Sequence, residues 1–163
     1  MLRCFSGARA LGGGALLVLC GLAAPATAQP DFVKGLHAGV RLGPAAGLTV
    51  RKPLATEGEW LEAIATVRRE ALALTGLYEF HRPNDFNFQG LSWFYGGGAH
   101  LTLYSVGAVD GPLAVGLDGI IGLEYALPDA PLSISLDWKP AFNILGPVGL
   151  VGDEGALSVR YRF

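Results

Sequence analysis

The chain has 163 residues, 12 Lys and Arg against 14 Asp and Glu for a formal charge of −2, and 51% hydrophobic residues. Near-balanced charge without a basic tract or an aromatic-basic stripe argues against a nucleic-acid partner. Mean hydropathy is high at +0.39, yet no segment after residue 28 strings together 18 apolar residues, which excludes helical membrane spans.

Residues 1–28 read as a secretory signal peptide of the Sec type. Arg3 and Arg9 form the positive start, Leu11 to Ala24 a short apolar core, and Ala26-Thr27-Ala28 the small-residue cleavage site. The core is shorter than the ~20 residues a spanning helix needs. A lipoprotein alternative would acylate Cys20, but Leu19 before it is bulky where that processing wants a small residue. Cleavage would leave 29–163 as one domain starting at Gln29. Both cysteines, Cys4 and Cys20, lie in the leader, so residues 29–163 contain no thiol, disulfide or cysteine metal ligand. Losing Arg3 and Arg9 leaves ten Lys and Arg against fourteen Asp and Glu, a formal charge of −4.

From there on the dominant pattern is period two, which puts alternate side chains on opposite faces of a strand. The first segment, Gly35 to Leu42, sets Leu36, Ala38, Val40 and Leu42 against His37, Gly39 and Arg41. After the Gly43-Pro44 break, Gly47 to Pro53 sets Leu48 and Val50 against Thr49 and Arg51. Glu59 to Arg68 and Ala71 to His81 follow, the latter with Leu74, Gly76, Tyr78 and Phe80 opposing Thr75, Leu77, Glu79 and His81. This stretch is ambiguous: Thr56-x-x-Glu59 makes a capping box, and Trp60, Ile64, Val67, Ala71 and Leu74 recur at helical spacing. Two strands joined near Arg69-Glu70 keep the strand count even, whereas a helix would leave it odd.

Gly90 to Tyr104 is the longest alternation, with Leu91, Trp93, Tyr95, Gly97, Ala99, Leu101 and Leu103 against Ser92, Phe94, Gly96, Gly98, His100 and Thr102. Ala114 to Tyr125 sets Val115, Leu117, Ile121, Leu123 and Tyr125 against Asp118, Ile120 and Glu124; Leu132 to Phe142 sets Leu132, Ile134, Leu136 and Trp138 against Ser133, Ser135, Asp137 and Lys139. The last segment, Gly155 to Phe163, places Leu157, Val159, Tyr161 and Phe163 opposite Ala156, Ser158, Arg160 and Arg162. Breakers divide these runs at Arg82-Pro83-Asn84-Asp85, Asp110-Gly111-Pro112, Leu127-Pro128-Asp129 and from Gly146-Pro147 to Asp153-Glu154-Gly155.

Eight such strands, apolar on one face and polar on the other, predict an all-β, eight-stranded antiparallel up-and-down transmembrane β-barrel. Lipid would meet the aliphatic face and the lumen the charged one. With both termini periplasmic, residues 105–113 and 143–154 become the longer external loops, and 82–90 is a long periplasmic turn. Trp60, Tyr78, Phe80, Trp93, Tyr125, Trp138 and Phe163 suit interfacial girdles.

On these alternating hairpins and the final strand, the chain resembles the small bacterial outer-membrane β-barrel proteins, the class of OmpX-like and OmpA-like barrels. Leu91 to His100 and Gly116 to Pro140 look like the core of uncharacterised outer-membrane β-barrel domain proteins. The resemblance implies a place in the outer membrane of a Gram-negative-type envelope, with outer-membrane lipids as neighbours. It also implies a C-terminal signal for the barrel assembly machinery, with Tyr161 and Phe163 in the two aromatic positions. Ser158 stands where glycine is usual and Ala156 where a polar residue is usual.

On this reading Arg41, Arg51, Glu79, Asp118, Glu124, Asp137, Lys139, Arg160 and Arg162 form a lumen polar network, with Glu62, Arg68 and His81 on the same face. An eight-stranded barrel is only wide enough for its own side chains or one small ligand, so no open pore is expected. The expected role is structural or interactive, with no catalytic, metal or cofactor residue. One alternative is a lipid-modifying enzyme similar to lipid A deacylases, in which His100, Thr102 and Glu124 stand in for a His-x-Ser pair and a glutamate. Threonine in place of serine breaks that motif, and His100 would face the lumen. Another alternative is a soluble, exported, lipocalin-like binder of a small apolar ligand, which would turn the faces around so that Trp93, Leu117, Leu136 and Tyr161 line a cavity.

Overall fold

The computed structural model describes residues 35–68, 71–83, 88–104, 113–146, 148–152 and 154–163. The leader, the Arg69-Glu70 junction, most of the 105–113 loop, and Asn84, Asp85, Pro147 and Asp153 of the expected breakers lie outside them. The described residues form ten β-segments and no helix: β1 His37–Leu42, β2 Ala46–Pro53, β3 Glu59–Arg68, β4 Ala71–Pro83, β5 Leu91–Tyr104, β6 Leu113–Ala126, β7 Leu132–Trp138, β8 Ala141–Leu145, β9 Gly149–Val151 and β10 Gly155–Arg162.

Every pairing is antiparallel, and the ring closes. β1 to β6 pair in chain order, β6 pairs with β7, β7 with β10, and β10 returns to β1. Closure leaves no open sheet edge along that ring. The barrel has eight staves because two of them are interrupted. β7 and β8 hold one continuous register on β6, with Ile121 opposite Trp138 and Asp118 opposite Ala141. The gap between them is Lys139-Pro140, where proline has no N–H to give the ladder. Contact is kept by the Gly119 N–H donating to the Pro140 carbonyl at 2.9 Å. β9 and β10 make the other interrupted stave. Ala141 faces Val151 while Trp138 faces Gly155, so one extra residue is taken up between Val151 and Gly155 as a bulge. There the Trp138 indole N–H donates to the Gly152 carbonyl at 2.8 Å.

The segment open to a helical reading is two strands, β3 and β4, in register from Glu59 opposite Phe80 to Arg68 opposite Ala71. Sheet pairing on both flanks outweighs the local capping signal. The expected long loop 143–154 is a correction: Ala141–Leu145 folds back on Gly149–Val151, turning at Gly146 with a φ of 86°. Asn143 and Val151 are therefore part of the wall.

The two faces differ as the alternation requires. Outward side chains include Leu48, Leu61, Val67, Leu117, Leu136, Leu145 and Leu157, all exposed. Inward ones are mostly polar or charged and buried. Four inward residues, Ile64, Leu77, Phe94 and Ile120, form a small apolar cluster on the β3–β6 side. The first and last described residues lie together at one end of the barrel, the terminal end, where His37 pairs with Arg162 and the Phe163 N–H donates to the Leu36 carbonyl at 2.9 Å.

Candidate functional site

Period two on eight staves converges the charged side chains on one narrow interior. Arg160, fully buried at 0% exposure, reaches across the barrel to three strands. It donates to Glu62 Oε1 at 2.6 Å, to Ser135 Oγ at 2.6 Å and to Thr49 Oγ1 at 3.3 Å, and the Thr49 hydroxyl donates in turn to Glu62. Arg41 grips Asp137 with both terminal nitrogens, at 2.6 and 2.5 Å, the bidentate geometry that suits guanidinium and carboxylate.

Nearer the termini, Arg51 donates to Glu124, lies 3.7 Å from Glu79 and sits over the Trp60 ring with its guanidinium carbon 4.8 Å from the centroid. His81 Nε2 contacts Glu79 at 3.1 Å and Arg51 at 3.3 Å. A run of rings, His37, Trp60, His81 and Phe94, with successive centroids 4.8, 5.3 and 4.9 Å apart, packs this end of the interior. Trp60, expected in an interfacial girdle, therefore points inward. The reason is parity: it shares the inward face of β3 with Glu62 and Ile64.

At the opposite end Lys139 donates to Asp118 at 2.7 Å and to Glu154 at 2.5 Å. His100 Nδ1 lies 2.7 Å from the other Asp118 oxygen, and its Nε2 lies 2.9 Å from Asn143 Oδ1. Arg162 stands apart from these ion pairs at the terminal rim, donating to the carbonyls of Leu127 and Ala130 at 3.0 and 2.7 Å. Arg68 lies exposed at the other mouth.

The interior holds charge in fixed pairs and does not bring His100, Thr102 and Glu124 together. His100 is opposite Gly116 and Glu124 is eight positions further along β6, roughly 27 Å at 3.3–3.4 Å per residue. The imidazole is committed to Asp118 and Asn143, and Glu124 to Arg51. Among the described residues no three His, Cys, Asp or Glu side chains are placed to hold a metal. Asn143 and Glu154 escape the sequence reading because they fall in the expected loop. The signal was present for Asn143, which keeps the inward parity of Lys139 and Ala141.

Outside, aromatic rings gather toward the terminal end. Tyr78 packs against Phe80, Phe80 against Tyr95 and Tyr95 against Trp93, with centroids 5.2 to 5.4 Å apart. Tyr161 packs on Phe163 at 4.9 Å and Phe88 near Tyr125 at 6.0 Å. Trp138 and Phe142 stand away from that end, opposite Ile121 and Leu117. Comparison with protein-family models, curated proteins and solved structures finds no match to this chain.

Proposed function

We propose that the chain is an outer-membrane β-barrel protein with a structural or interaction role and no open pore. The observation that carries this reading is the inversion of a water-soluble fold: arginines and carboxylates are buried, while leucines, isoleucines and valines stand on the surface. Leu136 is 61% exposed and Arg160 0%. In water, an outer wall of aliphatic side chains would be a large aggregation hazard. In a bilayer it is the favoured wall, and the hydrogen bonding that closes the ring of strands is what a lipid-facing sheet requires. The aromatic band near the terminal end adds support, because amphipathic rings favour the membrane interface. The filled middle of the lumen supports a barrel without a conducting channel.

A lipocalin-like carrier would need an apolar cavity and a polar wall, the reverse of the faces described above. The deciding experiment is electrophoresis of the purified outer-membrane fraction with and without boiling. A heat-dependent change in migration in that fraction is expected. Recovery of the protein in the soluble periplasm, with no such change, would overturn the proposal.

A further inference from the structure

Inward side chains of β4 shrink toward the end away from the termini: His81, Glu79 and Leu77 give way to Thr75, Ala73 and Ala71. On β8, Ala141 sits between the inward Lys139 and Asn143. A barrel of eight staves is normally filled by its own side chains. Here small residues leave a chamber of about 400 Å³, within the ~300–1,000 Å³ typical of small-molecule sites.

The chamber has a built floor. His100, Lys139 and Asn143 line it, and each is 6% exposed or less. Asp118, beneath them, receives both His100 and Lys139 through its two oxygens. Among the described residues there, formal charges cancel: Lys139 and Arg68 are matched by Asp118 and Glu154. A charged ligand would have to displace an ion pair already made. The remaining lining is Val151, alanine methyls, and Thr66, Thr75, Thr102 and Tyr104, whose hydroxyls accept and donate without carrying charge. That combination matches a molecule with several hydroxyls and small apolar C–H faces.

We infer that this chamber is a binding site for a small, uncharged, polyhydroxylated molecule of about monosaccharide size. The inference concerns the lumen and does not depend on what surrounds the outer wall. The test is amide NMR of the folded protein in detergent micelles, titrated with glucose, galactose, mannose, glucuronate and inorganic phosphate. At least one uncharged hexose should give saturable shifts confined to the chamber residues of β4, β5 and β8. Ala73→Trp, which fills the space, should abolish them while the spectrum of the terminal end stays unchanged. Should that variant fail to fold, Thr102→Val removes one hydroxyl with little change in shape and should weaken binding about threefold to tenfold. No saturable shift with any hexose, tighter binding of glucuronate or phosphate, or hexose shifts that survive both substitutions would overturn the inference.

Discussion

Phe94 and Gly122 face each other across β5 and β6 inside the barrel, and the Phe94 ring occupies the space that a side chain at position 122 would need. The same exchange repeats along this pair of strands: Gly96 faces Ile120, Gly98 faces Asp118, and His100 faces Gly116. Along this pair of strands each of these large inward residues stands opposite a glycine, which leaves it room in the narrow lumen.

Gly122→Ala should therefore destabilise the barrel by about 1–3 kcal/mol, the usual cost of overpacking. A Cβ there would sit 2.6 Å from Phe94 Cζ, 2.7 Å from Asp137 Cβ and 2.7 Å from the Leu136 carbonyl oxygen. Adding Phe94→Leu should recover only part of the loss, because the β7 contacts remain. Urea-dependent refolding of both variants checks this; strict additivity would show that the ring and the glycine are not coupled.

This complementarity marks the limit of what the sequence makes legible. Period two alone assigns the inward face of Arg41, Arg51, Glu79, Asp118, Glu124, Asp137, Lys139 and Arg160, since a strand offers only two faces. Partners are not legible, because they depend on register around a closed ring: Arg160 finds Glu62, 98 residues away, only when β10, β1, β2 and β3 are all in place. The breakers from Gly146-Pro147 to Gly155 read as one loop in one dimension, so the strand from Leu132 ends at Phe142 and Asn143 and Glu154 fall beyond it. In the barrel Ala141–Leu145 folds back on Gly149–Val151, which puts Asn143 in the wall.

Arg160 is the hub of the interior, and its removal leaves Glu62 buried without its cation. Arg160→Met should cost about 3–5 kcal/mol, the penalty for stranding one member of a buried pair. Arg160→Met combined with Glu62→Leu should cost much less, because neither charge is then left alone. Refolding energies of the two variants decide it, and equal losses would mean that the pair contributes through packing alone.

Glu79 is a different case. Among the described residues the buried cations Arg41, Arg51, Lys139 and Arg160 face five buried carboxylates, Glu62, Glu79, Asp118, Glu124 and Asp137. Glu79 Oε1 meets no donor, while Arg51 gives its closest contact to Glu124. Glu79→Gln should lie within about 1 kcal/mol of the parent, whereas Glu124→Gln should cost about 1.5–3 kcal/mol through a weakened bond to a charged group. The reverse order in equilibrium unfolding would make Glu79 the main partner of Arg51.

Phe163 lies at the terminal rim, its N–H on Leu36, its carbonyl accepting from Gly35 at 3.2 Å and its ring on Tyr161. If the final strand is an assembly signal, deleting Phe163 should slow insertion while leaving export intact. Pulse-labelled cells should then accumulate the exported but unfolded chain. A normal rate of folding into the outer membrane would mean that the terminal ring serves only local packing.

The outer wall makes the most direct prediction. Leu117 and Leu136 point away from the lumen at 56% and 61% exposure. If they face the middle of a bilayer, Leu117→Arg and Leu136→Arg should each cost about 2–4 kcal/mol, because an arginine there meets hydrocarbon. If the wall faces water, the same arginines remain solvated and should cost less than ~0.5 kcal/mol, as surface substitutions usually do. Refolding each variant into lipid vesicles and measuring its stability separates the two environments on the same residues, because only a hydrocarbon neighbour turns a solvent-tolerant substitution into a severe one.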